Sequence, residues 1–209
     1  VPYFLQSGFP PAFALNLSFL FVSIPLEVGV LYSLGKRKNG KLSLNGIVLW
    51  RRARPYLLIP PLLVYGALIW SAMEPVAGFL ERTVFSGLPM WFLQLSILSG
   101  SGLPEAAIMV FLISNLLING IVNPIVEEIY FRGYLLPRLA AFRGWAPAVN
   151  AALFSVAHLW QPQYTLSLIL LVLPLYYIVW WRYNIYLAMI VHSLGNVIGA
   201  VLPIGGFPA

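Results

Sequence analysis

The sequence predicts an all-α, polytopic transmembrane helical bundle of about six spans, on the strength of three observations. The first is composition: of 209 residues, 60% are hydrophobic and only 9% are charged, with mean hydropathy +0.86. A soluble domain usually carries about 25% charged residues, and a water-exposed surface this apolar would aggregate. The second is the division of the chain into apolar runs of membrane-crossing length, which is about 20 residues. The third is the confinement of basic residues to alternate connections, as expected of loops on one side of a bilayer.

The spans fall at roughly Pro11–Leu34, Pro55–Val76, Glu105–Leu136, Trp145–Trp160, Tyr164–Trp181 and Ile185–Leu202. The first runs past Leu31, longer than the apolar stretch of a secretory signal, and no small-residue cleavage site follows it. Residues Ala77–Leu103, with Met90–Leu98 inside them, read as a loop carrying an interfacial or re-entrant piece, so a seventh short helix stays open. Seven of the twelve basic residues (Lys36, Arg37, Lys38, Lys41, Arg51, Arg52, Arg54) lie between spans one and two. Arg138 and Arg143 follow span three, and Arg182 follows span five. The positive-inside rule places these three loops in the cytoplasm and all six spans then alternate. The chain reads as one integral domain over 1–209, multi-pass in the plasma or inner membrane.

The formal charge of +6 is explained by this topology, so no nucleic-acid partner is expected; the bilayer is the partner. There is no Cys, which removes disulfides, thiolate metal sites and cysteine nucleophiles. Seventeen Pro and seventeen Gly do not signal loops here, because membrane helices tolerate both when neighbours satisfy the freed backbone groups.

The informative residues are the ionisable ones inside the spans. There is no Asp, and of the six Glu residues Glu74, Glu81 and Glu105 fall at or beyond span ends. Glu27, inside the first span, reads as a snorkelling or helix-pairing residue. Glu127 and Glu128 are adjacent, precede Arg132, and lie well inside span three, while both histidines, His158 and His192, fall inside spans. An ionisable group at mid-bilayer costs at least about 2.5–3.5 kcal/mol, and such groups persist chiefly facing a protein interior. At a rise of about 1.5 Å per residue, Glu127 lies about 16 Å from Arg138, His192 about 15 Å from Arg182, and His158 about 22 Å from Arg143. Three helices thus place polar residues in one layer near the midplane.

Spacing adds geometry. Glu128 and Arg132 are i, i+4 and can form a buried ion pair; Glu127 shares its face with Asn123 and Phe131. His192 and Asn196 repeat the i, i+4 relation, as do Phe154 and His158. Pro124 cannot donate to the Gly120 carbonyl, which predicts a kink just before the Glu pair. Taken singly, each of these residues reads equally well as interhelical glue; a set on three helices favours a site.

The residues Glu127-Glu128-Ile-Tyr-Phe-Arg132, Phe154-Ser-Val-Ala-His158 and His192-Ser-Leu-Gly-Asn196 resemble the EExxxR, FxxxH and HxxxN motifs of the CPBP family, the CaaX prenyl proteases and bacteriocin-processing enzymes also called Abi proteins. The resemblance covers a core of roughly 105–202. It implies an intramembrane endopeptidase with a cytoplasm-facing cavity, in which Glu127 and His158 activate water. In the same terms His192 and Asn196 stabilise the oxyanion, and Glu128 and Arg132 hold the helix geometry. The implied substrate is a membrane-presented peptide or protein, its lipid modification unspecified.

The chemistry of the residues is compatible. Peptide hydrolysis needs a base matched to neutral pH, and a buried carboxyl suits that task. Two donors aimed at a developing oxyanion are worth several kcal/mol. Every Lys lies in the first basic loop, so no Ser–Lys dyad forms. No cofactor is expected on this reading. The alternative is zinc held by Glu128, His158 and His192 with a position left for water, although HExxH is absent. A non-catalytic scaffold or immunity protein and a proton-linked transporter are the competing function classes.

Overall fold

The computed structural model describes residues 9–50, 56–93 and 104–201, and the described residues are all helix, turn and connection. Arg51, Arg52, Arg54, Pro55, Leu202 and residues 94–103, including part of the expected re-entrant piece, lie outside them.

Helix α1 covers Ala12–Asn39 and helix α2 covers Tyr56–Thr83. Helix α1 ends for legible reasons: Lys36, Arg37 and Lys38 occupy its last turn, and Gly40 closes it at φ 69°. Cations there oppose the negative helix end, and the left-handed cap suits glycine. One face of α1 is inward, with Glu27, Leu31 and Gly35 at i, i+4, i+8, of which Leu31 and Gly35 are buried. The opposite face exposes Phe21, Val22 and Leu26, an apolar surface suited to lipid.

After α3, described over Met90–Leu93, helical structure covers Glu105–Ala157 with a kink at Arg143. It comprises α4 (Glu105–Ser114), a widely wound segment Asn115–Val122, α5 (Asn123–Glu128), a second wide segment Ile129–Leu135, a tight run Leu136–Trp145 and α6 (Ala146–Ala157). The wide turns precede Pro124, so the chain absorbs the missing N–H by winding wider rather than breaking. Helices α7 (Thr165–Arg182) and α8 (Ile185–Val201) complete the fold.

Four helices, Ala12–Asn39, Tyr56–Thr83, Glu105–Ala157 and Pro162–Arg182, are long and apolar enough to cross a membrane, and Ile185–Ala200 is a shorter apolar helix. Expected spans three and four therefore share one helical stretch. The turn between them is a single non-helical residue, Arg143 at φ 50°, ψ −127°. The fourth span is also shorter than expected. Helix α6 has 12 residues, about 18 Å of rise against a hydrocarbon core of about 30 Å.

Helix α6 packs along α7, and α7 packs on α2. Helix α8 lies against the Asn115–Val122 segment and α5, while α1 covers α5 from another side. Without a hydrophobic force between helices in lipid, close approach depends on small residues. Gly120 is one: a Cβ there would meet Val197 Cγ2 at 3.2 Å. Gly133 is another, with Val48 Cγ1 only 2.6 Å from a Cβ position. The loop bearing Val48 is stitched in beside it, since Leu49 N–H donates to the Gly133 carbonyl at 2.7 Å and Ile185 N–H to the Trp50 carbonyl at 3.0 Å.

Candidate active site

The Glu127–Glu128 pair lies at the end of α5, where α1, α5 and α8 meet. Glu128 and Arg132 are fully buried, with Arg132 Nε 2.9 Å from Glu128 Oε2. The i, i+4 spacing makes this pair local. The other carboxylate oxygen, Oε1, accepts from His192 Nδ1 at 2.8 Å. Arg132 Nη1 and Nη2 have no hydrogen-bond partner. Aromatic faces take that place: the guanidinium carbon lies 3.6 Å from the Tyr176 ring centroid and 4.3 Å from that of Phe154. Cation–π attraction is strongest for such a desolvated group.

Glu127 is held differently. Asn123, one turn earlier on the same face, donates from Nδ2 to Glu127 Oε1 at 2.8 Å. Its Oε2 is 3.9 Å from His192 Nε2. One carboxylate oxygen is thus anchored, and the second faces the imidazole across a longer gap.

His158 was expected inside a span, but it is the C-cap of α6, with φ −87° and ψ 44°. The apolar run continues to Trp160, so hydropathy alone does not register the helix end. His158 Nδ1 lies 2.8 Å from the Phe154 carbonyl oxygen. A carbonyl only accepts, so Nδ1 carries the proton, and Nε2 of the neutral ring is left as the basic nitrogen. Among the ion pairs of the described residues none joins His158 to Glu127. The Phe154 ring neighbours both histidines, its centroid 4.4 Å from the His158 ring and 5.8 Å from the His192 ring.

Asn196 lies on α8 one turn beyond His192, and its Nδ2 donates to the Asn119 carbonyl at 2.9 Å. That carbonyl belongs to the widely wound segment preceding α5. One amide N–H is engaged there. The structure therefore brings Glu127, Glu128, Arg132 and His192 into direct polar contact. It joins His158 to them through Phe154, and ties Asn196 to the backbone beside them.

The residues of the zinc alternative are Glu128, His158 and His192. Among the described residues no three His, Asp or Glu side chains come together as metal ligands. Glu128 already engages His192 Nδ1 and Arg132, and His158 Nδ1 faces a carbonyl.

Glu27, expected as a snorkelling or helix-pairing residue, lies on the inward face of α1. Its side chain is partly buried, its Oε2 is shielded from solvent without a hydrogen-bond partner, and the charges of Glu127, Arg132 and Glu128 all reach it. The signal that could have found it is the stripe it shares with Leu31 and Gly35, which marks an inward face.

A helical membrane protein with a buried carboxylate–imidazole cluster is the class that fold and site define. Residues 108–198, under half of the chain, match the family model of the Type II CAAX prenyl endopeptidases, Rce1-like. All three motifs lie inside that stretch, which is thus similar to the CAAX prenyl endopeptidases. No curated protein and no solved structure matched the chain.

Proposed function

We propose that the chain is an intramembrane endopeptidase in which Glu127 and His158 activate water and His192 and Asn196 face the oxyanion. The observation that carries this reading is the complementary state of two groups. Glu127 has one oxygen anchored by Asn123, and His158 has its basic Nε2 defined by the Nδ1 contact to Phe154. A carboxylate and an imidazole nitrogen so prepared can share one water.

In the proposed reaction the water oxygen bonds to the peptide carbonyl carbon while its proton passes to Glu127, with His158 Nε2 accepting a hydrogen bond from the same water. The carbonyl π pair moves onto oxygen. Collapse of that oxyanion breaks the C–N bond, and the proton held by Glu127 goes to the leaving nitrogen. Asn196 has a second amide N–H to offer the oxyanion. His192 donates from Nε2 when its ring carries both protons, and Glu128, on Nδ1, is the carboxylate that balances that charge while Glu127 holds the water proton.

The family's description names prenylated CAAX substrates; for this chain we extend it to a peptide presented at the membrane. The basic loops Lys36–Lys41, Arg138–Arg143 and Arg182 support cleavage at the cytoplasmic face of a multi-pass protein in the plasma or inner membrane. The test is reconstitution in liposomes with a peptide library. Cleavage by the wild-type chain, lost in both Glu127→Ala and His158→Ala, supports the reading. Absence of wild-type cleavage, with partner binding unchanged in the variants, favours a scaffold.

A further inference from the structure

His158 is the C-cap of α6: its N–H donates to the Ser155 carbonyl at 3.1 Å and its Nδ1 lies 2.8 Å from that of Phe154, while the connection that follows it is held from other elements. The chain from 158 to 164 is a series of tight turns, with Gln161 N–H donating to the His158 carbonyl at 3.1 Å and Tyr164 N–H to that of Gln161 at 3.0 Å. What anchors this connection comes from outside residues 108–198. The Trp160 ring sits 4.7 Å from the His158 ring and 5.2 Å from that of Phe19 on α1. Gln163 is buried, and its Nε2 donates to the Leu93 carbonyl at 2.8 Å. Leu93 is the last described residue of α3. Tyr164 stacks on Trp70 at 5.0 Å and 11°, and its hydroxyl donates to Glu74 Oε1 at 3.2 Å.

We propose that Gln163 and Tyr164 are positioning residues for His158, through which the N-terminal half of the chain holds the water-activating imidazole in register with Glu127. The proposal rests on the peptidase reading and assigns a task to the half that the family match does not cover. The physical need is clear: a displacement of 1 Å in a reacting group can cost about 100-fold in rate. The carbonyl of Leu93 and the carboxylate of Glu74 approach the connection from two separate elements, so together they restrain translation as well as tilt.

The test uses Gln163→Leu, Tyr164→Phe, Glu74→Leu and Glu74→Gln in the full chain. The first three lower kcat roughly tenfold with KM unchanged, whereas Glu74→Gln, which keeps an oxygen acceptor for Tyr164, retains activity. A change confined to KM, or unchanged rates, would overturn the proposal. A second readout is independent of turnover: carbethoxylation of His158 by diethyl pyrocarbonate, mapped by mass spectrometry with His192 as internal reference. Gln163→Leu alters the His158 rate and not the His192 rate; identical rates for both would overturn the proposal even if the wild-type chain cleaved nothing.

Discussion

His192 Nδ1 lies 2.8 Å from Glu128 Oε1, and this contact ties α8 to the motif helix across 64 residues of sequence. It also divides Glu128 between two partners, because Oε2 faces Arg132 Nε. Glu128 is therefore the joint between a local pair and a long-range one.

Removing that joint leaves a buried guanidinium without its counter-charge. Glu128→Ala is expected to destabilise the fold by about 3–5 kcal/mol. Glu128→Ala combined with Arg132→Leu recovers much of this, since the uncompensated charge goes with it. Thermal unfolding in detergent measures both; a single variant as stable as wild type would show that Arg132 is held by its aromatic neighbours alone.

Asn196→Ala should lower kcat about 100- to 1,000-fold, the usual cost of one oxyanion donor. Its loss of the bond to the Asn119 carbonyl adds only about 1 kcal/mol of destabilisation. Steady-state kinetics at a temperature well below unfolding separates the two effects. A kcat within threefold of wild type would remove Asn196 from the oxyanion role.

Gly120 permits α8 to lie against the segment carrying Asn119, with Val197 Cγ2 at 3.2 Å from a built Cβ. Gly120→Ala asks Val197 to shift by a few tenths of an ångström and should be mild. Gly120→Leu overfills the contact, at a cost of about 1–3 kcal/mol, and moves Asn196 off its carbonyl. Activity should fall further in the Leu variant than unfolding accounts for at the assay temperature.

Metal removal separates the two hydrolytic chemistries. Cleavage is expected to be unchanged after dialysis against 1,10-phenanthroline and to disappear in Glu127→Gln. Activity lost to the chelator and restored only by added Zn²⁺ would require the ligands to converge in a state other than the one described.

How much was legible in the sequence differs by residue. Glu128 and Arg132 were readable because their relation is local, a single helical turn. Glu127 with Asn123, and His192 with Asn196, were readable for the same reason, but not what those side chains would touch on other helices. The end of α6 before His158 was not, because Leu159 and Trp160 prolong the apolar run past the last helical hydrogen bond. The Arg143 turn was expected as a loop, yet one residue with φ 50° suffices, so no run of turn residues marks it. Glu27 reads as an isolated carboxyl in an apolar helix, since the groups that reach it lie about a hundred positions later in the chain. Hydropathy detects that such a residue is costly; only packing reveals its neighbours.

The locality of the Glu128–Arg132 pair bears on biogenesis. A segment delivered to the bilayer from the translocon presents these two charges one turn apart, already able to cancel, before any later helix has been synthesised. His192 arrives 60 residues after Arg132 in the chain, on the last helix described. The site is thus assembled in the order of synthesis. The segment bearing the Glu pair can enter the membrane with one charge pair neutralised, and the proposed site is completed only when α8 docks. Truncation before α8 would leave an inserted protein lacking His192 and Asn196.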